Sequence, residues 1–125
     1  MDTHIFLAVI EDRMEALPLR VRQEVDASDD RFYLSVASLW EIAIKHRLGK
    51  LPLKTALEEL PETARNYAIE LIPINENHAL QSVKPEPLTR DPFDRLLLAQ
   101  CAVEGLKLVT IDTALQHHPL SATAA

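Results

Sequence analysis

Apolar and polar positions alternate along this chain in short blocks, and the spacing inside each block predicts its element. Ile5 to Ile10 is nearly continuous apolar sequence, which periodicity alone leaves open between a strand and a buried helix. Asp2 or Thr3 just ahead of it is a helix N-cap signal, so the helix is favoured. Leu17-Pro18-Leu19 breaks the chain, Arg20 to Val25 reads as a short charged helix, and Asp26 to Asp30 as a polar turn. Phe32-Tyr33-Leu34 fits a buried strand. From Ser35 a helix is predicted, with Val36, Leu39, Trp40, Ala43, Ile44 and Leu48 as its core-facing stripe and Gly49 as its stop. Trp40, in that stripe, is assigned to the core rather than to base stacking.

Beyond a Leu51-Pro52-Leu53 linker, Thr55 to Leu60 is predicted helical and Pro61 is expected to end or kink it. Ala64 to Tyr67 continues as a short helix, Ile69 to Ile74 is a strand, and Asn75 to Val83 carries cap and helix signals. The two prolines between Lys84 and Leu88 mark a loop. Pro92 to Glu104 is a helix closed by Gly105, and Lys107 to Ile111 a strand that Asp112 ends while capping Thr113 to Gln116. The tail from Pro119 is weakly patterned and expected to fray. Strands separated by helices imply an α/β class with parallel pairing and helices on both faces of the sheet.

Length and composition add bounds. The 125 residues suit one domain, 1–125. The apolar and charged fractions are those of ordinary water-soluble proteins, no apolar run approaches a membrane span, and the expected address is the cytoplasm. The formal net charge of −6 argues against a protein that grips nucleic acid through its overall charge, where a basic balance is expected. It leaves room for an enzyme whose acids gather in one metal site. Cys101, the single cysteine, is assigned to the core. The adjacent pair His117-His118 suits a loop end better than a metal site.

The candidate chemistry lies in acids at element junctions. Asp91 stands as a helix cap ahead of Pro92, Asp94 lies one turn in, and Arg90 and Arg95 flank the pair. Taken alone these are a cap and an i,i+4 ion pair from Asp91 to Arg95. Glu41 has a similar ordinary partner in Lys45. Yet Asp2, Glu41, Asp94 and Asp112 all fall near the edge where α/β sheets collect ligands. Carboxylates packed there take up protons or recruit a hard divalent cation, Mg²⁺ or Mn²⁺. That cation would support phosphodiester hydrolysis. A glycine-rich phosphate loop and a nucleophile elbow are both missing. Arg90, Arg95, Lys45, Arg47 and Lys50 are assigned to solvent rather than to the site.

Four segments in order carry a resemblance: Met1-Asp2-Thr3-His4, Leu34-Ser35-Val36-Ala37-Ser38-Leu39-Trp40-Glu41-Ile42, Asp91-Pro92-Phe93-Asp94-Arg95-Leu96-Leu97 and Leu108-Val109-Thr110-Ile111-Asp112. Together with Leu48-Gly49-Lys50-Leu51-Pro52-Leu53 they resemble a PIN-domain protein of the VapC type, the toxin of a type II toxin–antitoxin pair. The resemblance implies an α/β/α sandwich with a mostly parallel sheet and a Mg²⁺-dependent endoribonuclease. By position Asp2, Glu41, Asp94 and Asp112 match the four family acids, with Asp2 and Asp94 as the surest metal ligands. Asp91 matches an additional acid, and Thr110 a hydroxyl that orients a carboxylate. An RNA substrate, a homodimer and a cognate antitoxin are implied too. The family's first strand precedes its first acid, whereas only Met1 precedes Asp2 here, so that strand is expected to be truncated. The alternative is a decayed domain that keeps antitoxin binding or dimerisation without catalysis. A third account makes the acids mere caps and surface pairs, and expects them far apart.

Overall fold

The structure, a computed structural model, describes residues 1–27 and 31–122. Of the turn expected at Asp26–Asp30, residues 28–30 lie outside the described residues, as do 123–125 of the tail. Helices α1 (Thr3–Ile10), α2 (Leu19–Ala27), α3 (Val36–Arg47), α4 (Leu60–Asn66), α5 (Glu76–Leu80) and α6 (Pro92–Glu104) alternate with strands β1 (Phe32–Ser35) and β2 (Ile69–Ile72). The strands pair in parallel, Phe32 beside Ile69 and Ser35 beside Ile72, so α3 and α4 lie on the crossover that parallel pairing requires.

Asp2 decides the first element. Its carboxylate accepts the Ile5 N–H at 3.0 Å and caps α1, whose Ile5, Phe6, Leu7 and Ala8 are all buried. A helix apolar on every side belongs inside a protein, and α1 packs with Leu34, Ile42, Leu60, Ala64, Ile69 and Val109. A second cluster, Leu97, Leu98, Cys101, Leu108, Leu115 and Val83, forms around α6. This is a mixed α/β architecture, and its parallel sheet agrees with the expected class.

Several local expectations are corrected. Residues Lys107 to Ile111 form no strand. Only an isolated parallel bridge joins Leu108 to Ser121, with Leu120 and Ala122 bonded to Leu108. That bridge also ties down the tail as far as Ala122. Pro61 starts a helix instead of ending one: it sits in the first turn of α4, where its missing N–H costs nothing. Of Thr55 to Leu60, only a 3₁₀ turn at Leu57–Glu59 forms ahead of α4. Asp112 caps a turn rather than a helix.

The largest correction concerns α3. Its buried residues are Ala37, Ser38, Glu41 and Ile42, whereas Val36, Trp40 and Leu48 of the expected stripe are 40%, 61% and 63% exposed. Helix α3 turns Ile42, two small residues and an acid inward, and packs on α1 and α6. Burial of Glu41 is tolerated because both its oxygens are hydrogen-bonded.

Met1 and Asp2 lie where the first strand is expected. The Met1 nitrogen donates to the Tyr33 carbonyl at 2.8 Å, and the Asp2 N–H donates to Val109 O at 2.9 Å. These two residues therefore join β1 to the 107–111 segment. Beside them a cavity of about 510 Å³ runs between β1 and residues 105–109. No helix among the described residues is long and apolar enough to cross a membrane.

Candidate active site

Each acid is held by the backbone turn that carries it. In Thr89-Arg90-Asp91, the Asp91 N–H donates to the Thr89 hydroxyl at 3.1 Å, and the Asp91 carboxylate accepts the Phe93 N–H at 2.9 Å. Pro92 follows in the first turn of α6, and Asp94 comes round beside the turn that precedes it. Thr110-Ile111-Asp112 repeats the wording and the bonds: Asp112 N–H to the Thr110 hydroxyl at 3.0 Å, and Ala114 N–H to the Asp112 carboxylate at 2.9 Å. Short polar side chains closing onto nearby backbone are the ordinary chemistry of such turns.

Three threonine hydroxyls then donate to three acids. Thr110 donates to Asp2 at 2.5 Å, Thr3 to Glu41 at 2.6 Å, and Thr89 to Asp94 at 3.1 Å. Thr110 is the residue expected in this role, while Thr3 and Thr89 were not foreseen. A signal for Thr89 existed in the repeated Thr-x-Asp spacing. Thr3 had only its place next to Asp2, which reveals nothing about a partner 38 positions away. Ser38, one turn before Glu41, buries a hydroxyl that finds no partner among the described residues. A buried, unsatisfied hydroxyl suits a place that admits water or a ligand.

Electrostatics bring the acids together at Asp94. Its carboxyl is pushed up to about 6, chiefly because burial penalises the charged form. Asp91, and less strongly Asp112 and Glu41, add repulsion, while the Thr89 hydroxyl opposes the rise. The charges of Asp91, Asp112 and Glu41 are thus felt at Asp94, although no three of the acids gather at one point among the described residues. Asp2 joins through Thr110, whose oxygen links the Asp2 carboxylate to the Asp112 N–H. Asp2 and Asp91 do serve as caps, as the plainer account requires. Asp91 does not pair with Arg95, however: that guanidinium bonds Glu86 and the Thr89 carbonyl.

Lys45 was assigned to solvent, and the structure places it at the site. Its Nζ donates to Glu41 at 2.7 Å, and its pKa is raised by that bond and by the charges of Glu41, Asp91 and Asp94. The other sequence candidates are structural. Cys101 is buried, and His118 is buried with its Nε2 2.8 Å from the Pro85 carbonyl oxygen.

The family comparison bears on this arrangement. The PIN domain profile matches residues 1–119. The chain belongs to the PIN domain family. PIN domains are generally nucleases that use divalent metals. No curated protein and no solved structure matches the chain. The donors at this PIN site are all carboxylate oxygens, the kind that a hard divalent cation takes. In kind they fit such a metal. Among the described residues, however, no three acids, histidines or cysteines stand close enough to hold one together.

Proposed function

We propose that this PIN domain, spanning 1–125 as one unit, is a Mg²⁺- or Mn²⁺-dependent endoribonuclease, the VapC-type toxin of a toxin–antitoxin pair. The observation that carries the reading is the half-buried Asp94 carboxyl, raised to about 6 chiefly by burial and further by the charges of Asp91, Asp112 and Glu41. Near neutral pH such a carboxyl is mostly ionised under the repulsion of its neighbours, and a divalent cation would relieve that repulsion. Asp94, Asp2, Glu41 and Asp112 would hold the metal, directly or through water, with Asp91 adding charge and Thr110 fixing Asp2. When bound, the metal lowers the pKa of a water and stabilises charge on the phosphate under attack. The residues themselves orient the acids: caps and threonine hydroxyls fix Asp2, Asp91 and Asp112 before substrate arrives.

RNA is the expected substrate, and the cytoplasm the expected address. An antitoxin and a second copy of the chain are the expected partners. The exposed apolar residues Val36, Trp40 and Leu48 along α3 support protein partners of this kind. The test is direct. Purified protein should cleave RNA with Mg²⁺ or Mn²⁺, and EDTA should stop it. Asp94→Asn should remove cleavage while the protein stays folded by circular dichroism. Undiminished cleavage by Asp94→Asn would overturn the assignment.

A further inference from the structure

Lys45 is the cation already present among these acids. Its Nζ lies 2.7 Å from one Glu41 oxygen, while Thr3 donates to the other at 2.6 Å. Glu41 is buried, and its one ion-pair partner among the described residues is a lysine whose side chain is 41% exposed. The two donors to Glu41 differ in what they allow. A neutral hydroxyl tolerates a divalent ion on the same carboxylate, whereas an ammonium repels it. We propose that Lys45 is a built-in counter-ion that holds Glu41 until a divalent metal enters, and that it competes with the metal for the site.

The proposal rests on the metal-dependent reading above. In the described structure Glu41 is turned to Lys45, one turn along α3. The exposed lysine stem gives the ammonium a route into water, so release needs a change of rotamer and no movement of the helix. The acids Asp91 and Asp94 also act on Lys45, so its departure would leave the whole cluster short of positive charge. A divalent ion would then meet a stronger field.

The test titrates Mn²⁺ into metal-free wild type, Lys45→Met, Lys45→Arg and Asp94→Asn by calorimetry, with a thermal melt of each in EDTA. Lys45→Met should bind Mn²⁺ at least about tenfold tighter than wild type and melt lower in EDTA, since Glu41 then lacks its charged partner. Lys45→Arg, which keeps the charge, should resemble wild type in both. A lysine with a merely structural role would lower the melt without tightening Mn²⁺. Unchanged or weaker Mn²⁺ binding by Lys45→Met therefore overturns the proposal. Loss of Mn²⁺ binding in Asp94→Asn speaks for the metal reading alone, whatever Lys45→Met does. Absence of Mn²⁺ binding in both wild type and Lys45→Met overturns the two together. Binding seen in Lys45→Met and not in wild type supports the competition.

Discussion

Thr89-Arg90-Asp91 and Thr110-Ile111-Asp112 make the same two backbone hydrogen bonds, yet their hydroxyls do different work. Thr89 donates to Asp94, five residues on, at 3.1 Å. Thr110 donates to Asp2, 108 positions away, at 2.5 Å. Asp2 is buried and doubly bonded, to Thr110 and to the Ile5 N–H. Asp94 is half-buried, held by one longer bond, and surrounded by other acids. One turn thus locks a carboxylate into the fold, and its twin leaves one under-satisfied. The difference separates a carboxylate whose position the fold already fixes from the one left with the least support.

The largest expected effect sharpens the Asp94 side. Asp94→Asn should lower RNA cleavage in Mg²⁺ by at least about a hundredfold, the scale of losing one preorganised electrostatic contributor. Circular dichroism should show the fold intact. The second breaks the anchor. Thr110→Val removes the hydroxyl from between the Asp2 carboxylate and the Asp112 N–H, leaving the buried Asp2 carboxylate and a part-buried N–H short of a partner. It should cost about 3 kcal/mol in urea unfolding, since a buried charged acceptor bears the full desolvation penalty. An equal loss from Thr89→Val would erase the distinction between the turns.

These two turns also show how far the sequence could be read. Asp91 as a cap, Pro92 in the first turn and Gly105 as a stop define α6 from local chemistry, and the observed bounds are those expected. The family resemblance offered Thr110 as a hydroxyl that orients a carboxylate without saying which, because nothing local to Thr110 points to Asp2 across 108 positions. Helix α3 defeated the pattern. The apolar stripe from Val36 through Trp40 to Leu48 obeys the helical period, but the face that packs is the one carrying Glu41. Trp40 instead lies exposed with its ring edge-to-face on Phe93, centroids 5.5 Å apart. A period identifies a helix without saying which side the site requires inward. The Glu41–Lys45 pair was expected from its i,i+4 spacing and is present; what the spacing did not show is that its acid partner is buried.

A third effect is pH-dependent. Asp94 is raised from 3.8 to about 6, so the folded state prefers its protonated form. That contribution to stability is complete below about pH 4 and is lost as pH rises through 6. A shift of that size is worth ~3 kcal/mol at full strength, and with half the group open to water about 1 kcal/mol remains. In EDTA, wild type should therefore lose about 1 kcal/mol between pH 4 and 7 that Asp94→Asn keeps, read as the difference between their urea midpoints. Saturating Mn²⁺ should remove the gap by stabilising the ionised wild-type cluster. A gap that widens towards low pH would reverse the sign and undo the account of Asp94.

The smallest effect is the most discriminating. Thr89→Val removes the one bond that favours ionised Asp94, so it should move the rising limb of the pH–cleavage profile to higher pH. Stability should fall by about 1 kcal/mol, because a neutral donor is lost from a partly exposed pair. Cleavage at neutral pH should fall about tenfold, as when a residue that orients a metal ligand is removed. Thr110→Val should leave the position of that limb unchanged while lowering stability further, because it touches Asp2 and not Asp94. If both variants shift the limb alike, the acids titrate as one coupled group and the turns are not distinct in function. If only Thr89→Val does, two turns with the same local bonds are separated by what each hydroxyl reaches: a carboxylate that the fold fixes twice, or one that it supports by a single longer bond.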